Sequence, residues 1–160
     1  MAVAPEIARL AEAVLLVRAQ PAENRSSPLT SGRPDSSDAA AAAPLTLGAL
    51  ARQLRAIAAS PERWWGLVRF EPDRSVQITV EECASYQAWL VILPPGDAGH
   101  GCDCDVATVI AGEATEGAPS SAVLRPGALR VHGQRHGLQG RGPGYSISLH
   151  ARAHRSATRR

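Results

Sequence analysis

The sequence predicts a mainly β domain, an antiparallel sandwich or barrel preceded by one or two α-helices. Three observations lead there. Past residue 62 the apolar pattern has period two, in short runs such as "GLVRF", "SVQITV", "YQAWLVIL", "VATVIAG", "SAVLRPGALRVHG" and "YSISLHARA". Gly, Pro, Asp and Glu divide these runs, as turns between strands require. Upstream, the apolar residues instead recur at helical spacing in two segments.

The first of these segments, residues 4–19, places Ile7, Leu10, Val14 and Val17 on one face, with Glu6, Arg9 and Glu12 on others. A helix is expected within residues 1–20. Residues 21–44 turn to Pro, Ser, Asp, Asn and a run of Ala, with Leu29 as the single larger apolar side chain. Such a stretch cannot offset its own ordering entropy and reads as a disordered linker. Thr46 then offers an N-cap to a second helix in which Leu47, Leu50, Leu54 and Ile57 form an apolar stripe, ending near Ser60-Pro61. Trp64 and Trp65, between helix and first strand, are expected to seal a core edge. The β domain with its leading helix is therefore placed at residues 45–154, followed by a basic tail at 155–160. Within it, "YQAWLVIL" is apolar on both faces and reads as a central strand. In the last strand Tyr145, Ile147 and Leu149 share one face, and Ser146, Ser148, His150 and Arg152 the other. A polar row of that kind faces solvent or a functional lumen, and alternation by itself favours solvent.

Composition narrows the function. The chain has 160 residues and a net charge of +2, and its basic residues are all Arg. They are scattered except for Arg155, Arg159 and Arg160, so the concentrated patch that nucleic acid needs is absent. No apolar run approaches the roughly 20 residues of a membrane span. The first residues lack a basic n-region, so no signal peptide is expected. Three cysteines, two of them one residue apart, do not form a disulfide framework. The expected setting is cytoplasmic and reducing.

The chemistry concentrates in "GHGCDCD", where His100, Cys102 and Cys104 alternate with Gly101, Asp103 and Asp105. All five histidines lie between His100 and His154. Metal ligation, thiol–disulfide cycling and a plain polar turn each account for the knot. Asp103 and Asp105 should raise the thiol pKa values and blunt redox reactivity. Cys83, after Glu81-Glu82, reads as an inert loop residue.

The segments "LTLGALARQLRAIAASPERWW", "AWLVILPPGDAG", "VATVIAGEATE", "LRPGALRVHG" and "YSISLHARA" together resemble the bacterial cysteine dioxygenase type of cupin, over about residues 45 to 153. The resemblance implies a cupin-type antiparallel β-barrel, a jelly roll, holding one Fe(II) on three histidines. Two of these come as His-x-His after a Pro-Gly turn, and the third from a later strand. The implied activity adds O2 to the sulfur of cysteine or another small thiol, in a monomer or homodimer.

Carried over residue by residue, the resemblance makes His136 the third metal ligand. It makes Ser148 and His150 the hydrogen-bonded pair behind the metal, with Arg152 standing where the family keeps a tyrosine. At the front, counting from Gly96 puts Cys102 and Cys104 in the place of His-x-His. Sliding two residues gives His100 and Cys102 instead. Both registers replace a histidine by a thiolate, which favours Zn(II), Cu(I) or a more electron-rich iron. Two thiolates plus His136 would leave a zinc-like site with an open fourth position. Arg69, Arg130 and Arg152 are the candidates for binding a substrate carboxylate. The alternative is a non-catalytic cupin that holds a small molecule or a structural metal after losing the iron site.

Overall fold

The computed structural model describes residues 45–97, 99–117, 122–133 and 135–154. The expected N-terminal helix, the linker and the basic tail lie outside these residues. Helix α1 spans Leu47–Ala58, and the Thr46 hydroxyl accepts a hydrogen bond from the Ala49 N–H at 3.2 Å. Leu50, Leu54 and Ile57 are buried, whereas Leu47, expected on the same stripe, stays 48% exposed. It sits in the first turn of the helix. Two short 3-10 turns, Pro61–Arg63 and Trp65–Leu67, follow. Between them Trp64 is fully buried, and its indole N–H donates to the Ile57 carbonyl at 3.0 Å, so it closes the end of the helix layer. Because the Thr46 hydroxyl satisfies a free N–H of the first turn, Thr46→Ala should cost about 1 kcal/mol in urea denaturation.

Among the described residues nine strands follow: β1 (Val76–Glu82), β2 (Tyr86–Leu93), β3 (His100–Cys102), β4 (Val106–Ala111), β5 (Glu113–Glu116), β6 (Val123–Leu124), β7 (Leu129–Val131), β8 (His136–Arg141) and β9 (Ser146–Ala153). They form two sheets, ordered β1-β2-β9-β4-β7 and β3-β8-β5-β6, and every pairing is antiparallel. From β2 onward the order β2-β9-β4-β7 against β3-β8-β5-β6 is two interleaved Greek keys, the strand order of a jelly roll. This is the barrel that the resemblance implies.

The larger sheet is covered on both sides. Its outer face carries Ala88, Leu90, Ile92, Ile147 and Leu149 against α1, and its inner face carries Trp89, Val91, Leu93, Ala107 and Val109 toward the second sheet. That double burial explains why β2 is apolar at nearly every position. It also decides the polar row of β9. Ser146, Ser148 and His150 are at most 2% exposed and lie on the lumen side, because the other face of β9 is taken by α1. Solvent, which alternation favoured, is the wrong side. Among the described residues no helix is long and apolar enough to cross a membrane.

Candidate metal centre

Strand β3 pairs with β8 so that Cys102 stands directly opposite His136. The side chains of a cross-strand pair share a face, so both point into the lumen. On the facing sheet, β9 sets His150 opposite Ala107 of β4 and Trp89 of β2. Residues 103–105 form the corner through which the chain leaves the smaller sheet for the larger. The Asp105 N–H donates to the Ala151 carbonyl at 2.9 Å, and its carboxylate accepts from the Ala153 N–H at 2.8 Å. These bonds fasten the corner to β9 and fold Cys104 back over the end of the barrel, 3% exposed.

The result is one group of four donors. The sulfurs of Cys102 and Cys104 and one ring nitrogen each of His136 and His150 all lie within 4.8 Å of one another. Cys102 Sγ is 3.2 Å and Cys104 Sγ 3.4 Å from His150 Nδ1, and Cys104 Sγ is 3.8 Å from His136 Nε2. Zinc bonds of about 2.3 Å to sulfur and 2.0–2.1 Å to nitrogen put S and N about 3.5 Å apart at the tetrahedral angle. The three distances bracket that value.

Electrostatics suit the same use. Burial, with the nearby His136, His100 and His132, pushes the His150 pKa down to about 3, so its ring is neutral and can ligate. Ser148 Oγ lies 2.8 Å from His150 Nε2 and 3.5 Å from the Val91 carbonyl. If the hydroxyl donates to the carbonyl, it accepts the Nε2 proton, and the Nδ1 lone pair faces the sulfurs. The two thiols shift each other in opposite directions. Hydrogen bonding to Cys104 lowers the Cys102 pKa despite burial and Asp103, whereas the bond to Cys102 and burial raise that of Cys104. The expectation that both aspartates raise both thiols therefore holds in direction for Cys104, while at Cys102 the neighbouring thiol outweighs Asp103.

Several sequence candidates fall elsewhere. His100 is not in the donor group. It shares the inner face of β3 with Cys102, but residues two apart along a strand are about 6.6 Å apart. Its Nδ1 lies 3.4 Å from Ser75 Oγ. Of the two registers, the geometry brings together Cys102 and Cys104. His150, expected behind the metal, joins the donors, with Ser148 holding its far nitrogen. The three arginines do not converge on one point. Arg69 donates to the carbonyls of Gly66 and Val68, beside Phe70, which packs edge-on against Tyr145 on the helix side. Arg130 is exposed on edge strand β7. Arg152 pairs with Asp103 at 3.3 Å, lining an open hollow of about 400 Å³ with Asp105, Ala153 and His154.

Alternation places His132 with Arg130 on the polar face of its strand but gives it no role; in the structure it lies flat on His136, with centroids 3.4 Å apart and planes within 10°. The signal was present in its place at the end of an alternating strand, four residues before His136. Next to this pair, a cavity lined by His132, Ser148, Leu138 and Val109 has a volume of about 10 Å³. That is space for at most one water.

No family model matches this sequence, and no curated protein matches it. Among solved structures, it is 23% identical to a Thermus thermophilus protein over 57% of this chain and 94% of that one, with a TM-score of 0.48. A conserved Klebsiella pneumoniae protein with a double-stranded β-helix domain is 29% identical over 52% of this chain and 80% of that one, with a TM-score of 0.43. A cupin superfamily protein from Desulfitobacterium hafniense is 14% identical over 57% of this chain and 87% of that one, with a TM-score of 0.45. None of the three points to thiol dioxygenases in particular. The jelly-roll assignment stands on the strand order of this chain, and the chemistry on its donor atoms.

Proposed function

We propose that this chain is a cupin-type barrel whose role is to hold one Zn(II), with Cys102, Cys104, His136 and His150 as its ligands. The observation that carries the reading is the convergence of those four donor atoms within 4.8 Å. Four protein donors fill a tetrahedral ion, which is the pattern of structural rather than catalytic zinc. Thiolates and imidazoles together form a donor set suited to that metal.

The Fe(II) that the resemblance implies does not fit this set. Adding O2 to a thiol needs a redox metal with open positions for both reactants, and here two thiolates stand where imidazoles are required. Ser148 and His150 keep the hydrogen bond that the resemblance expects, but the other nitrogen of His150 faces the sulfurs.

Protein purified without an affinity tag should contain one zinc per chain by elemental analysis, and almost no iron. Stoichiometric iron together with O2 uptake dependent on cysteine would restore the dioxygenase reading. A chain that arrives metal-free and takes up no added zinc would refute both.

A further inference from the structure

Resting on that reading of the centre, we infer that His132 is a reserve ligand of the same metal, able to take the ion through Nε2 when His136 releases it. His132 is 9% exposed, in the segment between β7 and β8. Its Nδ1 lies 3.1 Å from Glu116 Oε1. A carboxylate can only accept, so Nδ1 carries a proton. The neutral ring then keeps its lone pair on Nε2, which is buried and has no hydrogen-bond partner. A carboxylate holding one imidazole nitrogen while the other stays open is the arrangement that orients histidines toward metals.

The placement adds a second reason. The His132 ring covers the His136 ring at 3.4 Å and nearly parallel, so one ring thickness separates it from its neighbour's position. Its backbone N–H donates to the Asp105 carbonyl at 2.8 Å, which ties it to the corner that carries Cys104. A role limited to supporting His136 would need the stacked face alone. It would not account for a buried nitrogen left without a partner on a ring whose other nitrogen is held by a carboxylate. A buried nitrogen without a partner costs free energy, and a bound metal would offset that cost. Exchange of one neutral imidazole for another leaves the charge and donor types of the site unchanged.

The test titrates Zn(II) alone into the full chain against a chromophoric chelator, with folding checked by circular dichroism. His132→Ala should bind zinc within about threefold of the parent. His136→Ala should weaken binding by roughly 100-fold or less, the size of a lost orienting contact rather than of a lost ligand. The double variant should bind far more weakly than the product of the two single effects, because neither imidazole remains. Glu116→Gln should matter in the His136→Ala background and little in the parent. His136→Gln replaces His136→Ala throughout if alanine unfolds the strand. Equal loss in His136→Ala and in the double variant overturns the inference and leaves the four-ligand centre standing. Failure of the parent to bind zinc overturns the centre itself.

Discussion

Replacing Cys104 with serine should abolish the zinc binding proposed for this centre and lower the melting temperature by on the order of 10 °C. The thiolate is one of four donors, and an ion that binds only the folded chain stabilises it by RT ln(1 + [L]/Kd). At a free zinc concentration 1,000 times Kd this is about 4 kcal/mol, and each kcal/mol moves the midpoint of a chain this long by about 2–4 °C. Cys102→Ser should behave alike, since Cys102 Sγ lies 3.2 Å from His150 Nδ1 on the other side of the lumen. Cys83 is exposed and outside the donor group, so Cys83→Ser should leave both metal content and melting temperature unchanged. A strong chelator should reproduce the Cys104→Ser shift in the parent and add nothing to the variant. Melts in the presence and absence of chelator check all three. If chelation leaves the parent melt unmoved, zinc is not part of the folded state.

Gly112→Ala should cost about 4 kcal/mol in urea denaturation, combining backbone strain with overpacking. Gly112 turns the chain from β4 into β5, and so from one sheet to the other, at φ +73°. A Cβ there would overlap the Tyr145 carbonyl oxygen and lie 2.9 Å from the Ser146 Cα. Both are backbone atoms at the start of β9, and they cannot move without shifting the strand that carries Ser148 and His150. Gly127 separates the two causes. It has φ +85° and open space for 4 Å around the position a methyl would take, so Gly127→Ala should show the strain alone, about 1–2 kcal/mol. Equal losses at the two positions would mean that the contact with β9 contributes nothing.

Local pattern marks the helix and the longer strands, but it also marks "GLVRF" as a strand, where the chain forms the 3-10 turn Trp65–Leu67, and it passes over β8. Period two marks β1, β2, β4 and β9, and the double-sided apolar run of β2 announces a strand covered on both faces, because alternation follows directly from strand geometry. The short strands β3 and β6 were harder to read. They hold three and two residues, too few for a period to show, and their pairing comes from partners far along the chain.

Residue order is sufficient to establish a mainly β chain with a leading helix and to single out the knot around Cys102 as metal-capable, whereas His136 enters only through the resemblance. It does not establish which histidines and cysteines meet. His100 and Cys104 are each two residues from Cys102 and look equivalent in one dimension. The β3–β8 register opposes Cys102 to His136, and the corner held by Asp105 brings Cys104 over the donors while His100 is left one strand step away toward Ser75. Likewise, alternation divides β9 into two faces, but only the packing of α1 on one of them makes the other a lumen wall. His150 lies 48 residues from Cys102, and closure of two sheets around a common interior brings them within 3.2 Å. Periodicity acts over neighbouring residues. A coordination shell depends on distances across the barrel, and these exist only once the sheets have packed.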